Sequence, residues 1–109
     1  MRYPVAILAL PLLAAHCEGA LGAAKADFHK GRAPDAKAKL LALEPEAATW
    51  DACRRAEYDL YRGLVAGSLG DATEAKRWLL RAKSTTDREP RCLGPDDAAR
   101  LKQGVDSYP

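Results

Sequence analysis

Apolar residues along most of the chain recur every three or four positions, the period that gathers them on one face of an α-helix. From Gly19 to Lys30 they are Leu21, Ala24 and Phe28, and Gly31 supplies a stop. Pro34 and Asp35 stand where a first helical turn favours a proline and an acid, and Ala36, Leu40 and Leu43 then repeat at helical spacing until Pro45 closes the segment. Only Gly31, Arg32 and Ala33 separate the two stretches, which predicts an antiparallel hairpin. A third, longer helix is predicted from an N-cap at Thr49 through Leu69. Cys53, Ala56, Leu60, Gly63, Leu64 and Gly67 form one of its faces, and Trp50, Tyr58, Tyr61, Val65 and Leu69 an adjacent one. A helix apolar on two faces belongs at the centre of the domain. Arg55, Asp59 and Arg62 fill its remaining stripe and are expected to pair along the helix in solvent.

Gly70 turns the chain, Asp71 and Glu74 have the spacing of a capping box, and Ala75, Leu79 and Ala82 carry a fourth helix to about Lys83. A loop is expected from Ser84 to Gly94. Pro95, Asp96 and Asp97 mark another first turn, and Ala98, Leu101 and Val105 a fifth helix that caps the core. The expected fold class is all-α: antiparallel helical hairpins with a C-terminal capping helix. Composition agrees, because alanine and leucine dominate while valine, isoleucine and threonine are sparse. At 109 residues the chain holds one domain, which excludes a large multidomain enzyme. Lys and Arg total 17 against 15 Asp and Glu, with both signs interspersed, so no electrostatic footprint for nucleic acid exists.

The N-terminus has a different pattern. Arg2 leads an apolar run, Val5 to Ala15, that is uncharged and too short to span a membrane, since spanning takes about 20 apolar residues. Pro11 argues against a buried helix there. Residues 1–16 are therefore expected to be a signal peptide and residues 17–109 the exported domain, placed in the periplasm, at the outer membrane or outside the cell. Ala14-Ala15-His16-Cys17 resembles the lipobox of bacterial lipoproteins. That resemblance implies lipid attachment at Cys17 and membrane association through its acyl chains, with Glu18 implying the outer membrane. The alternative is ordinary signal-peptidase cleavage and a soluble protein. Of the three cysteines, Cys17 is the natural odd one out. Antiparallel third and fourth helices would bring Cys53 and Cys92 to the same end, where they either pair in an oxidising compartment or pack as two thiols.

An internal repeat overlies this layout: Gly31 and Gly70 are each followed by alanine five residues on (Ala36, Ala75) and leucine four after that (Leu40, Leu79). The second unit, Gly63-Leu64-Val65-Ala66-Gly67-Ser68-Leu69-Gly70-Asp71 with Ala75, Leu79 and Ala82, resembles a tetratricopeptide repeat; the first matches more loosely, and the units are spaced more widely than the family period of about 34 residues. The resemblance implies a scaffold whose first helices present a groove to a protein partner. On that register Leu60, Leu64 and Gly67 face the groove and lack the basic and amide side chains that clamp a peptide carboxylate. So short an array implies self-association or docking to a larger assembly.

Candidate chemistry is sparse. His16 falls in the leader or at its end, leaving His29 as a surface residue at a helix end. Cys53, Cys92 and His29 have no zinc-ligand spacing, and no phosphate loop or nucleophile elbow occurs. Asp96 and Asp97 are first-turn acids. Gly63 and Gly67 read as a close helix contact. No catalytic, cofactor-binding or metal-binding residue is assigned and no cofactor is expected. Lys76, Arg77, Arg81 and Lys83 make the fourth helix basic. Arg77 and Arg81, with Trp78, Trp50, Tyr58 and Tyr61, are the candidate partner contacts, although aromatic stripes at helical spacing ordinarily pack. The expected function is a noncatalytic protein-interaction module of the cell envelope; the alternative is a soluble periplasmic helical carrier of a small apolar ligand.

Overall fold

The computed structural model describes residues 19–109; residues 1–16, expected to be a signal peptide, and Cys17 lie outside the described residues. The fold is all-α. Helix α1 covers residues 19–29, followed by α2 (Ala33–Ala47), α3 (Ala52–Ser68), α4 (Ala72–Arg88) and α5 (Pro95–Ser107), with no strand among the described residues. Helix α3 is central, packed against α2, α4 and α5 and bonded to α1 through side chains.

The hairpin turns share one backbone solution. Gly31 and Gly70 have φ of +78° and +83°, the left-handed region that glycine enters without a Cβ penalty. In the first turn Gly31 N–H donates to Phe28 O and Arg32 N–H to Asp27 O; in the second, Gly70 N–H donates to Gly67 O and Asp71 N–H to Ala66 O. Both are Schellman closures, which satisfy the last carbonyls of one helix while reversing the chain. Beyond each turn the corresponding small and leucine positions are buried: Ala36 and Ala75, then Leu40 and Leu79.

Several boundaries differ from the pattern-based expectation. The N-cap of α3 is Asp51, whose carboxylate accepts from Arg54 N–H at 2.9 Å, whereas Thr49 donates its hydroxyl to Glu46 O and closes α2. Pro45 lies inside the last turn of α2, which continues to Ala47. The ring removes a bond to Leu41, a residue on the exposed face where solvent serves the carbonyl. Helix α4 runs to Arg88 rather than Lys83. Its extra turn is polar, with Thr85 and Thr86 hydroxyls bonded back to Arg81 O and Lys83 O, so no apolar period marked it.

The core closes by near approach of backbones. A Cβ on Gly63 would lie 2.6 Å from Leu79 Cγ, and one on Gly104 would lie 3.0 Å from Leu79 Cδ1. Leu79 therefore projects from α4 into a space kept open by glycines of α3 and α5. A disulfide joins Cys53, near the start of α3, to Cys92 in the connection before α5, with the Cα atoms 4.7 Å apart. The expected solvent stripe on α3 is corrected at two of its three residues: Arg55 is exposed, but Asp59 is buried and the Arg62 side chain is only 12% exposed, with Arg81 and Trp78 of α4 and Glu44 of α2 against them. No described helix is long and apolar enough to cross a membrane.

Candidate functional site at the junction of three helices

On α1, Lys25 and His29 stand four residues apart and share a face; on α3, Glu57 and Tyr61 do the same; on α5, Asp97 and Arg100 are three apart. Tertiary packing turns these faces toward one another. Tyr61 is fully buried and donates its hydroxyl to Asp97 Oδ1 at 2.7 Å, while His29 Nε2 lies 2.9 Å from the same hydroxyl. With the phenol proton committed to Asp97, the imidazole Nε2 carries a hydrogen and donates. Lys25 bridges Glu57 and Asp97, the latter at 3.4 Å, and Arg100 Nη1 reaches Asp97 Oδ1 at 3.0 Å. Phe28 and His29 meet the Tyr61 ring edge-on with centroids 5.8 and 5.6 Å away. Helices α1 and α5 thus touch directly across α3, at one end of the face where Leu64 and Gly67 lie.

The electrostatics of this junction favour fixed charges. Burial would raise the Asp97 carboxyl, but the Tyr61 hydrogen bond, the Lys25 charge and the Arg100 hydrogen bond together hold it below the ordinary carboxylate value. Burial opposes charge on Lys25 too, and is outweighed by Glu57 and Asp97, which raise its pKa. Burial, then the bond to Asp97, pushes the Tyr61 phenol well above its usual range, so it stays protonated. A protonated, enclosed phenol between a carboxylate and an imidazole is a clamp that joins three helices.

Beside the clamp lies an open cleft of about 380 Å³. Leu79, seated between Gly63 and Gly104, lines it together with Gly67 and Tyr108, while Phe28 and Leu64 give it an apolar wall and Arg100 and Gln103 polar edges. Of the positions expected to face a groove, Leu64 and Gly67 line this cleft, whereas Leu60 is corrected to a fully buried core residue. A larger cleft, about 430 Å³, lies elsewhere, between the end of α4 and α5, over Leu93, Leu101 and Val105.

The candidate partner contacts divide. Tyr58, Trp78, Arg77 and Arg81 come together where α3 meets α4, with Trp50 at the edge, 6.0 Å from Tyr58 between ring centroids. Tyr61 faces away, into the clamp. Tyr58, Tyr61 and Trp78 are buried as packing residues, so as contacts offered to solvent they are corrected; Arg77 and Arg81 are exposed and Trp50 is half-buried. Tyr58 donates to Leu40 O at 2.7 Å and accepts from Arg62, which also bridges to Glu44. The Arg62, Arg81 and Arg77 guanidinium groups lie 4.2, 4.7 and 5.1 Å from the Trp78 ring centroid. Pattern reading missed Lys25, Glu57, Asp97 and Arg100 as one site, and missed Tyr108. Their only local signal is four- or three-residue spacing, which also describes an ordinary solvated face. Among the described residues no group of three or more His, Cys, Asp or Glu side chains is placed to hold a metal. Comparison with family models, with curated proteins and with solved structures finds no match to this chain.

Proposed function

We propose that the chain is a noncatalytic protein-interaction module of tetratricopeptide type in a bacterial cell envelope, and that the cleft between α1, α3 and α5 receives the partner. The cleft carries the reading: it combines an apolar lining from Phe28, Leu64 and Leu79 with polar edges from Arg100 and Gln103, and the neighbouring ion network joins the helices around it. The shared Gly31 and Gly70 turns support the repeat reading. Export is proposed from the shape of residues 1–16, attachment through Cys17 from the lipobox resemblance, and the Cys53–Cys92 bond suits an oxidising compartment.

A photoreactive residue at the exposed rim position Gln103 tests the module in cells. A discrete protein adduct from Gln103, absent from a probe at Ala38 on α2, is the expected result; no adduct from Gln103 overturns the reading. Intact mass of the native protein tests the address: loss of residues 1–16 with acyl mass on Cys17 identifies a lipoprotein, an unmodified mature chain a secreted domain, and a retained leader removes export. The apolar floor of the α4–α5 cleft favours the carrier as the second reading. A small molecule copurifying in that cleft would select it.

A further inference from the structure

Tyr108 leaves α5 in a non-helical conformation, φ −128° and ψ 70°, and its side chain returns to α3. Its hydroxyl lies 2.5 Å from where a Cβ on Gly67 would stand, and the next nearest atoms to that point are Tyr108 Cζ at 3.5 Å and Ala75 Cβ at 3.7 Å. The missing side chain of Gly67 therefore makes a notch filled by the phenol end of Tyr108 and crowded by no other residue. One residue on, Pro109 O accepts from Lys76 Nζ at 3.0 Å, tying this stretch to α4. Tyr108 also lines the cleft described above.

We propose that Tyr108 is a strap occupying a binding site for a phenol side chain, and that a partner peptide bearing tyrosine docks by displacing it. This rests on the interaction-module reading and gives the partner a chemistry. The chain's own phenol is the template, since a notch that accepts Tyr108 over Gly67 accepts the same ring from another chain. Tyr108 is half-buried and packs against the edge of the core, and among the described residues the hydrogen bonds that hold it and its neighbour are its N–H to Val105 O at 3.2 Å and the exposed lysine bond at Pro109, so a displacing ring has only to replace its apolar contact. Phe28 and Leu64 supply the apolar wall beside the notch, while Arg100 and Gln103 at the rim offer hydrogen bonds to an extended backbone. An internal competitor lowers apparent affinity by the fraction of time the site is open, so removing the strap raises affinity with no change in the site.

The test uses N-acetyl-L-tyrosinamide as the probe, with the amide signals of Gly63, Gly67 and Gly104 followed by NMR in the folded chain. Tyr108→Ala is expected to bind it saturably and at least tenfold more tightly than the unsubstituted chain. Gly67→Ala added to Tyr108→Ala should abolish binding, and without the phenol the new methyl meets nothing closer than the Ala75 side chain, so that variant folds. Equal affinity with and without Tyr108, no saturable binding to Tyr108→Ala, or binding indifferent to Gly67→Ala overturns the strap. The Gln103 crosslink separates the two ideas. An adduct there without probe binding removes the strap and leaves the module, whereas probe binding without an adduct removes the partner and with it the displacement step.

Discussion

Tyr61 and Asp97 are joined by a 2.7 Å hydrogen bond that fastens the centre of α3 to the first turn of α5. Replacing Tyr61 with phenylalanine keeps the ring against Phe28 but leaves Asp97 and His29 without their shared partner. Asp97 keeps Arg100 and Lys25, and His29 reaches solvent, so the expected cost is about 0.5–1.5 kcal/mol, the net worth of a lost hydrogen bond. Urea unfolding followed by tryptophan fluorescence measures it; a change under a few tenths of a kcal/mol would show that the clamp contributes nothing.

Acid sensitivity follows from the same carboxylate. Because the folded-state pKa of Asp97 lies below its ordinary value of 3.8, its stabilisation is complete above that value and is lost as pH falls through the folded pKa. Asp59 has the opposite sign: burial, only partly offset by Arg81, Arg55 and Arg62, raises its carboxyl, so the native state gains relative stability as pH falls toward that value. The stability difference between the native chain and Asp97→Asn should therefore be full at neutral pH and shrink below about pH 4. For Asp59→Asn the relative stability of the variant should decline on acidification over the window just above 3.8.

The glycine that admits Leu79 should tolerate no methyl. Gly63→Ala is expected to destabilise by about 1–3 kcal/mol, because the methyl would overlap the branch point of Leu79 and crowd the Ala75 backbone carbonyl at 3.1 Å, which cannot turn aside. Gly22, on the exposed side of α1 with nothing within 4 Å of where a Cβ would stand, is the contrast. Gly22→Ala should stabilise by about 0.5–1 kcal/mol. Thermal midpoints of the two variants check the pair.

The Cys53–Cys92 bond closes a separation of 39 residues, and its loss should cost about 2–4 kcal/mol, the usual range for a cross-link. Unfolding of the oxidised chain and of a Cys53→Ser, Cys92→Ser double variant gives the difference. Identical curves would mean that the connection before α5 is held without the bond.

Trp78 and Tyr58 are both buried, yet their polar atoms differ. The Tyr58 hydroxyl joins Leu40 O and Arg62, whereas the Trp78 indole N–H has no acceptor among the described residues. Tyr58→Phe is expected to cost about 0.5–1.5 kcal/mol through lost hydrogen bonding. Trp78→Phe should cost through lost volume and cation–π contact with Arg62 and Arg81, and by the same amount in high salt if packing dominates. Urea unfolding at low and high salt separates these terms.

Much of the helical layout was legible because each helix carries its own apolar period, and the turns at Gly31 and Gly70 were legible because glycine alone enters that backbone region cheaply. Asp51 and the last turn of α4 were missed for the complementary reason: several polar residues near a helix end can cap it, and a polar final turn has no period to read. Arg62 misled more sharply. A charged residue at the right spacing reads as solvent-facing, yet its guanidinium lies over Trp78 and its stem is covered by α4.

By itself the sequence determined which stretches become helices, where the hairpins reverse and which small residues must lie against a neighbour, since these follow from backbone freedom and periodicity within a few turns of chain. Only tertiary structure decided that Lys25, Tyr61 and Asp97 meet, that Leu60 is core while Leu64 and Gly67 edge a cleft, and that Tyr108 returns to Gly67. Those relationships join residues on different helices, and their existence depends on how three rods rotate about their own axes when packed, a choice made by summed burial and ion pairing over the whole domain.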